Sequence, residues 1–191
     1  MRLLVLVAPL STWAGPIEPP AQPPSPLTAP VAERPDVHPD AARADHLVRF
    51  LDYVSFPSTS VPPPGQPYVI GVAGADEVFQ ALGALLVGRT VHNRPLVRRL
   101  ITEGDPLSGV HLLYLGRRIE VPGHPLTRSA SALPVLLVCE HAEGLAAGAV
   151  FNFVFVREHL RFEASLAAAD RAGLVISSRV LALADRVVGG R

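Results

Sequence analysis

Lysine is absent from this sequence: all 17 of its basic residues are arginine. Chemistry that depends on a lysine amine therefore has no residue to use, whether the amine would form a Schiff base or bind nucleotide phosphates. A Gly-x-Ser-x-Gly motif is also absent, and no serine is flanked in a way that indicates an activated nucleophile. These absences exclude several classes of enzyme.

Cysteine is nearly absent too, since Cys139 is the only one. It can form no disulfide within the chain and cannot supply a zinc site that needs several cysteines. Cys139 ends an apolar run, which favours a buried and unreactive thiol. The histidines show no ligand spacing, so we expect neither a metal nor a cofactor.

The chain has no surplus of either charge, with 17 acidic and 17 basic residues, and 49% of its residues are hydrophobic. Proteins that bind nucleic acids usually carry a basic surplus. The balance therefore predicts no nucleic-acid partner. The length predicts a single domain.

No apolar run is long enough to cross a membrane as a helix, but the N-terminus has the features of a secretory signal. Arg2 precedes the apolar run from Leu3 to Leu10, and Thr12 and Ala14 supply the small residues of a cleavage site. We expect residues 1–14 to be a signal peptide that directs export. A buried first strand is the alternative.

Nine of the 20 prolines lie between Pro16 and Pro39. This composition favours extended polyproline conformations over a packed core. We therefore expect residues 15–36 to form a proline-rich linker, with docking to an aromatic groove of a partner as the alternative. The folded domain is expected over residues 37–190.

Apolar periodicity predicts a single α/β domain. A first helix is expected to end before Pro57, a buried strand to run from Tyr68 to Ala73, and Asp76 to cap the next helix. Strands separated by helix-length segments usually run parallel, so we predict a mixed, mostly parallel sheet flanked by helices. The further strands expected in it are Thr90 to His92, Leu96 to Leu100, Val110 to Leu115 and Pro134 to Cys139.

The C-terminal third is expected to form a β-hairpin followed by a helix. The two strands of the hairpin run from Phe151 to Val156 and from Leu160 to Ser165. Alternation along the second strand places Arg161, Glu163 and Ser165 on the face away from the core. These side chains are therefore expected to meet solvent or a partner.

Two further expectations concern helix boundaries. Prolines 122 and 125 are expected to interrupt any helix between Gly116 and Ala132. Either Ser177 or Ser178 is expected to cap the last helix. The side chains expected to face the core from that helix are Val180, Leu183, Ala184 and Val187.

Few side chains suggest chemistry. The turn from Gly71 to Gly74 lies between a strand and a helix, where N–H groups can hold a phosphate, but the full dinucleotide fingerprint is missing. Glu140 and Glu163 would make an acid–base pair only if the outward Glu163 turned inward. Asn152 lies in an apolar run, where bracing the adjoining loop is preferred to contacting a partner. We find no catalytic residue and expect no enzyme.

A succession of motifs in the C-terminal third resembles the YfiR family. The resemblance extends back to the first helix and covers roughly Ala41 to Val188 in the same order. The motifs that carry it are Phe50-Leu-Asp-Tyr-Val-Ser-Phe-Pro, Gly88-Arg-Thr-Val-His-Asn-Arg-Pro-Leu, Gly148-Ala-Val-Phe-Asn-Phe, Leu160-Arg-Phe-Glu, Ala172-Gly-Leu-Val-Ile-Ser-Ser-Arg and Leu181-Ala-Leu-Ala.

The resemblance implies a periplasmic regulatory protein that binds the periplasmic region of a membrane-bound diguanylate cyclase or sensor protein. Repression of the cyclase would lower cyclic di-GMP signalling and biofilm formation. A homodimer and an outer-membrane lipoprotein partner are also implied. The alternative is a periplasmic small-molecule-sensing domain that signals to a sensor kinase or transporter, which the glycine turn motivates.

The candidate partner-binding residues are Glu163 and Arg161 on the outward strand face, Arg179 at the start of the last helix, and Asn152. One departure from the family concerns the lone Cys139, because better-known relatives use disulfide pairs. We therefore expect no redox control by disulfides within the chain.

Overall fold

The computed structural model describes residues 39–189, so the expected signal peptide (1–14) and linker (15–36) lie outside the described residues. Five helices and ten strands lie in this part of the chain. The helices are α1 (Pro39–Tyr53), α2 (Asp76–Leu85), α3 (Pro125–Ser131), α4 (Leu166–Arg171) and α5 (Ser178–Leu181). The strands are β1 (Val54–Ser55), β2 (Tyr68–Ala73), β3 (Thr90–Val91), β4 (Arg94–Leu100), β5 (Leu112–Leu115), β6 (Leu136–Cys139), β7 (Phe151–Val156), β8 (His159–Ser165), β9 (Val175–Ile176) and β10 (Arg186–Val188).

The main sheet has eight strands in the order β10-β8-β7-β6-β5-β2-β4-β3. Strands β4, β2, β5, β6 and β7 are parallel neighbours, β8 is antiparallel to β7, and β10 is parallel to β8. The short β3 is antiparallel to β4, and β1 pairs with β9 in a separate two-stranded sheet. The sequence-based prediction of a mixed, mostly parallel sheet flanked by helices is confirmed.

The central strands are apolar on both sides because each face of the sheet packs against its own core. On one face, α1 and α2 cover side chains such as Leu112 and Tyr114 of β5 and Leu136 and Val138 of β6. We call this the α1 face. Residues in between, such as Leu113 of β5, point into a second core on the opposite face.

The second core is smaller and lies between the sheet and α3. Leu126 and Ala130 of α3 pack there against Leu137 and Cys139 of β6. None of the described residues in this core comes from β8 or β10. The antiparallel end of the sheet therefore has a helix layer on the α1 face alone.

Two expectations about helix starts are corrected. Asp76 is the first residue of α2 and not its cap: the N-cap is Ala75, which has no side-chain acceptor, and the Asp76 carboxylate binds Arg118 instead. Pro125 begins α3, because the first helical position needs no N–H donor. His124 precedes it as the N-cap, and its Nδ1 accepts a hydrogen bond from Leu126 N at 3.2 Å.

The expected last helix is also wrong in its second half. Ser177 caps α5 as expected, and Val180 is buried, but the helix ends at Leu181. Leu183 is 65% exposed and Val187 is 42% exposed. The chain leaves the helix because Asp185 N donates to Phe162 O and the following residues pair with β8 as strand β10.

Ser165 was expected to meet solvent or a partner, and this is wrong as well. It is 5% exposed, and its Oγ accepts a hydrogen bond from Ala168 N at 3.2 Å. Ser165 is thus the N-cap of α4, where it satisfies a free N–H group of the first helical turn.

Among residues 39–189, no helix has the length and apolarity needed to cross a membrane.

Candidate functional site

Glu163 lies on β8 beside Arg186 of β10, which is its partner in the parallel register. Arg186 Nε donates to Glu163 Oε1 at 2.8 Å, and the Glu163 side chain is 14% exposed. β10 therefore covers Glu163 from the side, where the sequence had placed it in contact with solvent. A partner approaching this face would meet the ion pair and not a free carboxylate.

Arg161 is exposed and shares the outward face of β8 with Glu163, as alternation predicts. It pairs across the hairpin with the half-buried Val154 of β7. Because the second core does not reach β8 or β10, no helix within residues 39–189 forms a hydrophobic core over this part of the sheet. We call the surface formed by Val154, Arg161, Glu163 and Arg186 the uncovered face.

A groove of about 690 Å³ lies next to this region, between α1 and the segment that follows α5. Arg161 and the exposed Leu183 are among its lining residues, together with Tyr53 of α1. Arg179 is exposed on α5 but does not line the groove, although its neighbour Val180 does. The structure thus brings Arg161 and Glu163 onto one face and leaves Arg179 on a different element.

Asn152 is 1% exposed, so its amide is part of the interior. Its Oδ1 accepts a hydrogen bond from His141 N at 3.2 Å. Gly144 lies so close that a Cβ atom at that position would collide with the Asn152 amide. Asn152 therefore holds the loop that follows β6, which is the structural role preferred from the sequence.

A buried cluster of charged and polar groups was missed by the sequence analysis. Arg43 of α1 is 4% exposed and donates two hydrogen bonds to Glu140, from Nε to Oε2 at 2.6 Å and from Nη2 to Oε1 at 2.7 Å. Tyr114 Oη donates to the same carboxylate at 2.8 Å, and Arg117 Nε donates to it at 2.6 Å. We call these four residues the Glu140 cluster.

The strand register explains why the cluster forms. Leu136 and Val138 of β6 point to the α1 face, so Glu140, two residues further along, points the same way as the strand ends. Tyr114 points to that face from β5, where it is registered with Val138. Arg43 reaches the carboxylate from the first turns of α1 above them.

The hydrogen-bond donors of the cluster stabilise the charge of the Glu140 carboxylate. Burial by itself would raise the pKa of the Glu140 carboxyl, but the hydrogen bonds from Arg43, Tyr114 and Arg117 outweigh it and lower that pKa. Burial and the neighbouring Glu140 charge raise the pKa of Tyr114. The carboxylate is therefore ionised and the phenol neutral, which suits a group that fastens α1 to the sheet.

A cleft of about 640 Å³ opens above the cluster. It lies at the carboxyl ends of β2 and β5, two adjacent parallel strands whose chains leave in opposite directions. The chain from β2 enters α2 on the α1 face, whereas the chain from β5 reaches α3 on the other face. In open α/β sheets this switch point is the usual place for ligands.

The glycine turn singled out in the sequence lines this cleft. Gly74 has φ +65°, and a Cβ atom there would collide with Ile119, so backbone conformation and packing both require glycine without any ligand. Arg117 lies with its guanidinium 5.2 Å from the centre of the Phe155 ring, and Phe155 is 46% exposed. Both residues line the cleft.

Cys139 is fully buried in the second core, and burial raises the pKa of its thiol to about 12. The thiol is therefore protonated at neutral pH and unreactive, as expected from the sequence. Within residues 39–189, no group of three or more His, Cys, Asp or Glu side chains is arranged to hold a metal ion.

Residues 39–189 form one α/β domain with a mixed sheet, a buried cysteine and an ion-pair cluster that joins α1 to the sheet. Its family follows from sequence comparison: the chain belongs to the YfiR/HmsC-like family, whose model matches residues 40–185. The resemblance found from the motifs is confirmed. Proteins of this family are regulatory proteins associated with diguanylate cyclase signalling.

A solved structure supports the fold. The crystal structure of a conserved domain protein from Vibrio cholerae O1 biovar El Tor str. N16961 is similar, with a TM-score of 0.53 and 14% sequence identity. The similarity covers 78% of this chain and 60% of that one, so this chain spans well under the full length of that protein. None of the curated proteins compared with the chain matches it in sequence.

Proposed function

We propose that the protein is a periplasmic regulator that binds the periplasmic region of a membrane-bound diguanylate cyclase and represses it. The observation that carries this proposal is the family match, because it spans residues 40–185 and thus nearly all of the described fold. Repression by binding needs no reacting group, only a surface that the cyclase recognises. The expected result in the cell is a lower concentration of cyclic di-GMP.

The uncovered face is the proposed contact surface. It is a sheet face without a helix layer, and it carries the exposed Arg161 next to the Glu163–Arg186 ion pair and the half-buried Val154. Apolar surface flanked by charged groups is typical of a protein interface. Arg179 remains a second proposed contact on α5, whereas Asn152 would influence binding only through the loop it holds.

A binding assay with matched variants tests this surface. The periplasmic segment of a diguanylate cyclase encoded beside the gene would be purified and titrated with the mature protein. Arg161→Glu should weaken binding by about tenfold or more, because reversing a charge at an interface replaces an attraction with a repulsion. Arg128→Glu is the control, since Arg128 is also exposed but lies on α3.

Glu163 needs a different design because it is paired inside the protein. The double variant Glu163→Arg/Arg186→Glu keeps the ion pair and inverts the charge pattern on the uncovered face. It should fold with a nearly unchanged melting temperature and lose partner binding. Full binding by both Arg161→Glu and the charge-swapped protein would exclude this face as the contact surface.

The cellular test measures cyclic di-GMP and biofilm mass in a deletion strain. Both should rise when the gene is removed and fall again when it is restored. Unchanged cyclic di-GMP in a strain that expresses the cyclase would contradict repression. Release by an outer-membrane lipoprotein and assembly into a homodimer are further proposals, which co-purification and light scattering would test.

A second candidate function is the sensing of a small molecule, and the cleft above the Glu140 cluster favours it. Its volume of about 640 Å³ is in the range of roughly 300–1,000 Å³ typical of small-molecule sites. A thermal-shift screen of metabolites tests this function, since a ligand that binds the native state raises the melting temperature. A stabilising ligand should lose its effect in Glu77→Trp, which places a bulky ring at an exposed position of the cleft lining.

Export is proposed together with the function. The protein should be recovered from the periplasmic fraction with Gly15 as its first residue, which follows the expected cleavage after Ala14. Recovery from the cytoplasm with Met1 still present would contradict the signal peptide.

A further inference from the structure

The strand β4 forms most of one edge of the main sheet. Its inner side pairs with β2 from Leu96 to Leu100, but the short β3 pairs only with Arg94 and Pro95. Within residues 39–189, no strand lies against the outer side of residues 96–100. At about 3.3 Å per residue this free edge is some 17 Å long.

The backbone of this edge is ready to pair with another strand. Ile101 N donates to Val72 O of β2, so by alternation Val97 and Arg99 also direct their N–H and C=O groups to β2. The backbone groups of Leu96, Arg98 and Leu100 therefore point outward. Unpaired groups of this kind are the template for addition of an extended segment.

The side chains along the edge are apolar at its two ends and positive in the middle. Val97 is 41% exposed and Leu100 is 47% exposed. Between them lie Arg98 and Arg99. Alternation places Arg98 with Leu100 on the α1 face and Arg99 with Val97 on the opposite face, so each face of the edge offers one charge and one apolar side chain.

Both arginines are held in place by uncharged groups. The Arg98 guanidinium lies 4.1 Å from the centre of the Phe79 ring and donates to Phe79 O. Arg99 Nη2 donates to Pro106 O at 2.6 Å. In the described part of the chain, neither guanidinium lies within ion-pair distance of a carboxylate. Arg98 thus carries a positive charge that no described carboxylate neutralises. Arg99 acts on the Asp105 carboxyl, whose pKa is lowered first by hydrogen bonds from Thr102 and to a smaller degree by the Arg99 charge.

We propose that residues 96–100 of β4 bind an extended segment of another protein in which two consecutive acidic residues lie between apolar ones. Each acidic residue would face one arginine, and the apolar residues would face Val97 and Leu100. The order apolar, acidic, acidic, apolar is the same in both chain directions. The acidic residues therefore face the arginines whether the added strand is parallel or antiparallel to β4. The proposal does not depend on the partner assigned to the uncovered face.

A second copy of the chain is a poor occupant of this edge. Two copies of β4 paired about a twofold axis at Arg98 would place the two Arg98 residues directly opposite each other. Like charges in that position destabilise a strand pair. The positive charges of Arg98 and Arg99 therefore favour an acidic partner over a second copy paired in this register.

A peptide titration tests the proposal on the mature protein. The probe is acetyl-Thr-Val-Glu-Glu-Val-Thr-amide with a fluorophore, and binding is followed by fluorescence anisotropy at peptide concentrations up to about 1 mM. Arg98→Gln/Arg99→Gln should weaken binding about 5- to 30-fold, since opposite-charge cross-strand pairs contribute ~0.5–1 kcal/mol each. Arg128→Gln is the matched control, because Arg128 also donates to a backbone carbonyl, that of Gly123, and lies on α3.

Two changes to the peptide keep the test independent of the protein variants. Replacing both glutamates with glutamine should weaken binding to the same degree. N-methylation at one glutamate should abolish binding and at the other should preserve it, because successive N–H groups of a strand point to opposite edges. Circular dichroism confirms that the double variant is folded, and Arg99→Gln alone serves if it is not.

Three results would overturn the proposal. The first is the absence of peptide binding to the wild-type protein, and the second is equal binding of the glutamine peptide. The third is a double variant that binds the peptide as tightly as the wild type does. The arginines would then only protect the edge from self-pairing, as charged residues do in many edge strands.

Discussion

Glu140 and Arg43 are 97 residues apart in sequence and form a two-fold hydrogen-bonded ion pair in the interior, with N–O distances of 2.6 and 2.7 Å. The pair joins the beginning of α1 to the end of β6. Because the pair is buried, removing one partner should destabilise the protein by more than the intact pair stabilises it.

The single variant Glu140→Gln should lower the free energy of unfolding by about 2–3 kcal/mol. The buried Arg43 would lose its two charge-assisted hydrogen bonds to Glu140, and in the described chain only the partly exposed Asp40, at 3.0 Å, would remain as its counter-ion. Urea unfolding at neutral pH measures this. Glu77→Gln is the control: Glu77 binds Arg118 in an exposed pair at 3.2 Å, which contributes less than about 0.5 kcal/mol. The double variant Arg43→Met/Glu140→Gln should recover most of the loss, and a double variant less stable than Glu140→Gln would contradict this account.

The pH dependence of stability should report the same carboxylate. Its pKa is lowered in the folded protein, so its contribution is fully present above the unfolded carboxyl pKa of about 4.3 and is lost as the pH falls through the folded value. Unfolding free energies measured from pH 7 down to pH 2 should therefore fall more steeply for the wild type than for Arg43→Met/Glu140→Gln. Parallel curves below about pH 4 would show that Glu140 is not the titrating group.

Asn152 and Gly144 should behave as a coupled pair. Asn152→Ala removes the acceptor of the His141 N–H group and should cost about 1–3 kcal/mol. Gly144→Ala should also destabilise, because its methyl group would collide with the Asn152 amide. In the Asn152→Ala background, the cost of Gly144→Ala should become clearly smaller, as a double-mutant cycle measures. Additive costs would mean that the two residues do not touch.

Glycine in the turn between β7 and β8 should increase the stability of the protein. Arg157 and Glu158 have φ values of +49° and +65°, a conformation that costs roughly 1 kcal/mol for a residue with a side chain. Glu158→Gly should therefore raise the free energy of unfolding by about that amount. Glu120→Gly is the opposite control: Glu120 is exposed with ordinary φ, so glycine there should destabilise by about 0.5–1 kcal/mol.

Local patterns in the sequence were enough to place most of the elements. The buried strands Tyr68–Ala73 and Phe151–Val156 have the predicted bounds, because an apolar run between turn residues determines a strand without distant information. The last strand, β10, was missed for the opposite reason. Its three residues become a strand only by pairing with β8, and their apolar spacing also fits a helix.

The Glu140 cluster depends on pairings that no local pattern shows. One signal was available: Arg43 lies on the same side of α1 as Leu47 and Leu51, at a spacing that places all three toward the core. A basic residue on an apolar helix face requires a buried partner. Its identity could not be predicted, because it follows from the alignment of β5, β6 and α1 in space.

Strand β10 is only three residues long, yet it lies between β8 and the surrounding water along one border of the sheet. In a chain truncated after Asp185, the unpaired edge of β8 would lengthen from residues 159–162 to all seven of its residues, and the Glu163 carboxylate would lose its counter-ion. Long uncovered strands of this kind join with copies of themselves. A C-terminal deletion of a few residues would thus cause the protein to aggregate, even though the core beneath α1 stays intact.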